Sequence, residues 1–140
     1  GVVGKDVILE QKRDIFSVLD LKIGSCRISV AKLKNSVEKQ DGKLKVGTKF
    51  PEIATDYYAK KGINVEIVKL YGSIELAPIT GITDCIVDIV SSGETLRKNG
   101  LCEVEQICDI SSYLIANRTS FKTKFSEIKS IIDGLKTILE

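Results

Sequence analysis

Asp84-Cys85-Ile86-Val87-Asp88-Ile89-Val90-Ser91-Ser92-Gly93-Glu94-Thr95-Leu96 is the stretch from which the fold is read. Cys85 to Val90 is a near-continuous apolar run, the pattern of a strand buried on both faces. Small hydroxyl residues and a glycine follow it, and Gly93 to Asn99 reads as a short helix ended by Gly100. A strand running through a glycine loop into a helix start can hold a phosphate. Gly93 permits close backbone approach, the N–H groups of the helix start are unspent, and the hydroxyls of Ser91, Ser92 and Thr95 add donors. Asp88, nearest the loop, stands where a carboxylate can bind vicinal sugar hydroxyls or help hold magnesium. The same spacing also fits an ordinary strand-to-helix connection, with Ser92 as N-cap and Asp88 as a solvated strand end.

Working outward, strand-like and helix-like segments alternate. Cys26, Ile28 and Val30 alternate with Arg27 and Ser29, and residues 43–48 alternate likewise. Residues 50–61 carry Ile53, Tyr57 and Tyr58 at helical spacing, with Pro51 in the first turn and Gly62 as the stop. Residues 65–70 read as a strand, and Ser73 as the N-cap of a short helix through Leu76. Residues 103–116 read as one extended segment, and 117–120 as a turn. Phe121, Phe125, Ile128, Ile132, Leu135 and Leu139 then predict a single amphipathic helix.

This order predicts an α/β fold with parallel-rich sheets. Two lobes are expected, with two hinge crossings and a ligand cleft at the hinge. Residues 31–104 form the second lobe, and residues 1–30 with 105–140 form a partial first lobe.

Composition narrows the function classes. A hydrophobic fraction of 43% with 29% charged residues is that of a globular chain. Lys+Arg of 21 against Asp+Glu of 19 gives no basic excess, so a nucleic-acid partner is not expected. No apolar run reaches the ~20 residues of a membrane helix, so no membrane association is expected either. Cys26, Cys85, Cys102 and Cys108 form no CxxC, and the chain has no His. A dedicated metal site is therefore not expected, the cysteines read as packed thiols of a reducing cytoplasm, and His-based nucleophile pairs are excluded. The chain starts at Gly1 without a Met, and it reads as truncated at the N-terminus.

Several segments, in order, resemble the ATP phosphoribosyltransferase family. They are Gly1-Val2-Val3-Gly4-Lys5-Asp6, Val46-Gly47-Thr48-Lys49-Phe50-Pro51, residues 62–78, residues 84–101 and Leu114-Ile115-Ala116-Asn117-Arg118. The resemblance implies a two-lobed fold like that of periplasmic binding proteins, with the first lobe incomplete because the family's opening region precedes Gly1. It implies the first step of histidine biosynthesis: transfer of the 5-phosphoribosyl group of phosphoribosyl pyrophosphate to N1 of ATP, with substrate-bound Mg2+. Asp88 would contact the ribose, and Ser91, Ser92, Gly93, Glu94 and Thr95 the 5-phosphate, with Glu94 pointing its charge away. Asp6 would lie near the nucleotide, with Lys5, Lys49, Ser73 and Glu75 in matching positions. No general base is assigned. The short form of the family is oligomeric and works with a regulatory subunit resembling a histidyl-tRNA synthetase. The alternatives are a non-catalytic two-lobed ligand-binding module and an inactive fragment of the enzyme.

Overall fold

The computed structural model describes residues 1–36 and 42–139; residues 37–41 and 140, which fall within the expected lobe ranges, lie outside the described residues. In chain order the elements are β1 (Val2–Gly4), α1 (Lys5–Gln11), β2 (Ile15–Asp20), β3 (Cys26–Leu33), β4 (Leu44–Thr48), α2 (Pro51–Lys61), β5 (Val65–Lys69), α3 (Leu76–Ile79), β6 (Cys85–Val90), α4 (Glu94–Lys98), β7 (Leu101–Ile110), β8 (Ser112–Asn117), α5 (Arg118–Thr123) and α6 (Phe125–Leu139). They fall into two compact units, Gly1–Ser25 with Ile110–Glu140, and Cys26–Asp109. Boundaries drawn at 30/31 and 104/105 would cut through β3 and β7. The register shows why the division lies further out: β3 pairs with β6 from Arg27↔Val90 to Ala31↔Ile86, so the whole strand belongs to the second unit.

The second unit is built on a five-stranded sheet in the order β5-β4-β6-β3-β7. β4 runs parallel to both β5 and β6, while β3 is antiparallel to β6. The parallel portion is therefore β5-β4-β6, where helical crossovers carry the chain, and the sheet as a whole is mixed. Central placement accounts for the apolar run in β6: Cys85, Ile86, Val87 and Val90 are all buried. Ile86, Asp88 and Val90 share one face with their cross-strand partners Ala31, Ser29 and Arg27. That face carries the core of Ala31, Ile74, Ala77, Ile86, Val90, Leu96 and Leu101, to which α3 and α4 contribute. α2 buries Ile53, Ala54 and Tyr58, and the Tyr58 hydroxyl lies 3.6 Å from Cys85 Sγ. Burial pushes the Cys85 thiol up, which suits a packing residue and not a nucleophile.

Local signals account for most of the boundaries. Pro51 opens α2 and Gly62 closes it at φ 69°. Ser73 differs from expectation: it stands at φ 50°, outside the geometry of an N-cap, and α3 begins three residues later. Its carbonyl still accepts the Leu76 N–H at 3.1 Å.

The first unit holds a three-stranded antiparallel sheet, β1-β8-β2, with β8 central. The extended segment expected over 103–116 is thus two strands belonging to two sheets. The single helix expected from Phe121 is two helices. Asn117 Oδ1 accepts the Ser120 N–H at 2.6 Å and starts α5, Lys124 at φ −120° interrupts, and α6 follows. Phe16 packs tilted against Phe121 at 4.8 Å, and Phe121 packs edge-to-face on Phe125 at 5.5 Å. Among the described residues no helix is long and apolar enough to cross a membrane.

Candidate functional site

The chain leaves β6 at Val90, passes through Ser91, Ser92 and Gly93, and enters α4. Gly93 is the residue before the helix, at φ 83° and ψ 3°. This left-handed conformation favours glycine, because a Cβ there crowds the backbone. The internal ladder of α4 starts with Arg97 N–H to Gly93 O at 3.1 Å, so the amides from Gly93 to Leu96 lie ahead of it. Gly93, not Ser92, is the N-cap; Ser92 Oγ accepts the Glu94 N–H at a long 3.3 Å, close to the capping role of the ordinary-connection alternative.

Two arginines reach the loop from one side. Arg27 Nη1, from β3, donates to Ser91 O at 2.8 Å, and Arg97 Nη1 donates to Ser92 O at 3.4 Å. A trans peptide sets its C=O and N–H in opposite directions. Drawing the carbonyls of Ser91 and Ser92 toward the arginines therefore turns the N–H groups of Ser92 and Gly93 the other way. A Cβ on Gly93 would also point to the arginine side, 3.3 Å from Arg97 Nη1 and 3.9 Å from Arg27 Nη2. The φ angle of Gly93 is thus the conformational reason for a glycine at this position.

Arg27 is itself fixed. Its Nε and Nη2 both reach the Glu103 carboxylate at 2.7 Å, and Ser29 Oγ donates to the same carboxylate. These contacts hold the Glu103 carboxyl down at about 2, well below the usual carboxylate range.

A concavity of about 270 Å³ lies against the loop, and Asp88, Ser91, Ser92, Gly93, Glu94 and Thr95 all line it, joined by Glu75. Asp88 is placed between Ile86 and Val90 on the helix-covered face. Burial pushes its carboxyl above the usual range, while the Ile89 N–H at 2.8 Å and the charge of Lys49 pull it down and Glu75 pushes it up. Lys49, one residue past β4, is thus an electrostatic neighbour of Asp88. Glu94 is exposed and pairs with Lys98 at 3.2 Å. Asp84, four residues before Asp88, is tied up elsewhere, its Oδ2 accepting the Lys45 N–H at 2.8 Å.

The remaining expected residues lie on other elements. Ser73 sits in the β5–α3 loop and does not line it. Lys5 and Asp6 belong to the first unit, at the β1–α1 junction. The Lys5 N–H donates to Ser111 O at 2.9 Å, and the Asp6 carboxylate lies over Gly4, where a Cβ would collide with it. Arg27, Arg97, Ser29 and Glu103 were not foreseen. Arg97 carries a weak sequence signal, being one helical turn past Gly93. Arg27 carries none, because its partners lie 64 and 76 residues away.

Chemically, the loop offers outward amides, three hydroxyls and a helix start to an oxyanion, with a carboxylate beside it for hydroxyl groups. Among the described residues no group of three or more Cys, Asp or Glu could hold a metal ion unaided.

A family model described as HisG, ATP phosphoribosyltransferase, matches residues 1–137. The ATP phosphoribosyltransferase of Geobacter metallireducens is 51% identical over 97% of this chain and 66% of its own length. That of Thermoanaerobacter sp. (strain X514) is 51% identical over the whole chain and 66% of its own length. Among solved structures, the ATP phosphoribosyl transferase (HisG:HisZ) complex from Thermotoga maritima matches at TM-score 0.89 and 32% identity, over 99% of this chain and 69% of that one. The chain therefore spans about two thirds of the length of the curated relatives it matches.

Proposed function

Because the chain belongs to the ATP phosphoribosyltransferase family, we propose that it carries the phosphoribosyl-binding part of a cytoplasmic glycosyltransferase. That enzyme moves the 5-phosphoribosyl group of phosphoribosyl pyrophosphate to N1 of ATP, at the entry to histidine biosynthesis. The observation that carries this reading is the joining of Asp88 with Ser91 to Thr95 around one concavity, beside amides turned away from Arg27 and Arg97.

In this reading the 5-phosphate docks on the amides and hydroxyls of the loop, and Asp88 accepts the ribose hydroxyls. Burial raises the Asp88 carboxyl, and Lys49 counters that by favouring its ionised, accepting form. Glu94 lines the concavity, and its exposed pairing with Lys98 offsets part of its charge there. The transfer needs no covalent intermediate on the protein. A C–O bond to pyrophosphate breaks, the adenine N1 lone pair bonds to the ribose carbon, and pyrophosphate leaves with the electron pair. The protein's part is to position the ribose and surround it with fixed dipoles. Magnesium, carried on the pyrophosphate, neutralises leaving-group charge when bound. The Asp88 carboxylate is the oxygen donor that fits such a magnesium–substrate complex.

The named solved relative is a complex of two kinds of chain, which supports a regulatory partner resembling a histidyl-tRNA synthetase for this chain as well. The test is calorimetric titration with phosphoribosyl pyrophosphate and Mg2+, followed by a pyrophosphate-release assay on adding ATP and that regulatory subunit. Saturable binding with ATP-dependent release supports the reading. Binding without ATP consumption rejects catalysis by this chain and leaves a ligand-binding module or an inactive fragment, and no binding rejects the loop as the phosphate site.

A further inference from the structure

The strand-borne trio of Ser29, Arg27 and Glu103 has no place in the phosphate contacts just described, yet it converges on the back of the same loop. Arg27 is bidentate on Glu103 at 2.7 Å through Nε and Nη2, and its remaining terminal nitrogen, Nη1, reaches Ser91 O at 2.8 Å. Ser29, fully buried, donates to Glu103 and stands directly across from Asp88 in the β3–β6 register. One rigid fork thus ties three strands to the first residue of the loop: β3 supplies Arg27 and Ser29, β7 supplies Glu103, and β6 runs into Ser91.

We propose that Arg27, locked by Glu103, is a positioning residue that presets the Ser91–Gly93 loop for the sugar phosphate, acting from behind without touching substrate. This inference rests on the phosphoribosyl reading above. The physical argument concerns preorganisation. A loop of two serines and a glycine has many backbone states, and a ligand that must select one binds less tightly by the population of that state. A charged hydrogen bond to the Ser91 carbonyl selects the orientation in which the following N–H faces away from the arginine. A guanidinium fits this task because its planar donor fork can hold a carboxylate with two N–H groups and still offer a third in a different direction. A lysine at this position would have one nitrogen for both tasks. Arg97 adds a weaker hold on the next carbonyl at 3.4 Å.

The test uses this chain and its Arg27→Ala variant, with three probes titrated calorimetrically: phosphoribosyl pyrophosphate, ribose 5-phosphate and magnesium pyrophosphate. Arg27→Ala is expected to lose about tenfold in affinity for ribose 5-phosphate and for phosphoribosyl pyrophosphate, the scale of one charged hydrogen bond. Magnesium pyrophosphate, which lacks the ribose 5-phosphate that this reading docks on the loop, is expected to keep its affinity. Millimolar guanidinium ion restores part of the lost affinity, whereas a merely structural defect is worsened by it. If Arg27→Ala fails to fold by circular dichroism, Glu103→Gln is read instead, with an expected loss of about threefold, again confined to the two sugar phosphates.

Unchanged ribose 5-phosphate binding in Arg27→Ala, while Asp88→Asn still weakens phosphoribosyl pyrophosphate binding, overturns the positioning role and leaves the phosphoribosyl reading standing. Equal losses for all three probes without guanidinium rescue overturn it too. Absence of phosphoribosyl pyrophosphate binding by the unsubstituted chain removes the underlying reading itself.

Discussion

Replacing Gly93 separates two ways in which a glycine can matter to a phosphate loop. At φ 83° and ψ 3°, an L residue carries a left-handed penalty of roughly 1–2 kcal/mol. Steric crowding adds little for alanine, since the nearest atom to a Cβ is Arg97 Nη1 at 3.3 Å, the end of a flexible chain, and the next are at 3.9 and 4.0 Å. Gly93→Ala should therefore destabilise by about 1–2 kcal/mol. Gly93→Val should reach about 2–3 kcal/mol, because a β-branched residue is the least suited to positive φ. Gly93→Asn should stay below alanine, since asparagine visits this region readily. Urea titration gives these differences from the midpoints at constant slope. Phosphoribosyl pyrophosphate affinity should fall in the same rank order, as the φ angle directs the loop amides. If asparagine proves worse than alanine, or valine leaves both midpoint and affinity unchanged, the conformational account is wrong.

Three further outcomes follow from individual groups. Asp88→Asn should weaken phosphoribosyl pyrophosphate binding about tenfold without lowering the urea midpoint at neutral pH. Burial raises the folded carboxyl above its unfolded value, so the ionised form opposes folding and its removal brings no loss; a large destabilisation would contradict this. Glu103 has the opposite sign. Its folded carboxyl lies at about 2 against an ordinary 4.5, so its stabilisation is complete above 4.5 and disappears as pH falls toward 2. With 29% of the side chain exposed and screening discounted, about 1–2 kcal/mol is expected. The stability gap between the wild type and Glu103→Gln should accordingly narrow between pH 6 and pH 3, and a constant gap would refute the pairing. Thr83 Oγ1 is buried with no hydrogen-bond partner among the described residues. Thr83→Val should thus be neutral or stabilising by up to about 1–2 kcal/mol in thermal or urea melts, and a clear loss would reveal a partner.

What could be read from the chain was whatever is encoded locally. The apolar run of β6, the proline and glycine bounding α2, and the serine–glycine passage into α4 each express a preference of a few adjacent residues, and each lies where its signal pointed. The antiparallel entry of β3 beside β6 was not legible, because pairing Ser29 with Asp88 depends on closing a loop of about sixty residues. The interruption at Lys124 escaped as well, since the apolar spacing runs through it while Asn117 starts a separate turn of helix. Within the site, the acidic, hydroxyl and glycine residues lie in one contiguous stretch and could be named together. The arginine that reaches behind them could not, because a guanidinium on one strand and a carboxylate on another have no shared periodicity. Ser73 was misjudged for a subtler reason: the residue type suits a cap, but its φ of 50° belongs to a turn.

The bond from Lys34 N–H to Gly100 O, at 3.0 Å, joins the finish of β3 to the start of β7, its neighbour in the sheet. The two strands therefore run in opposite senses, and the residues at which the chain enters and quits the Cys26–Asp109 unit emerge at the same edge. A segment whose two ends meet in this way is a cassette. It can be transplanted into a host loop, or closed on itself by a short linker, with little entropy lost in joining its ends. That geometry makes the Cys26–Asp109 unit a self-contained, exchangeable part of the chain.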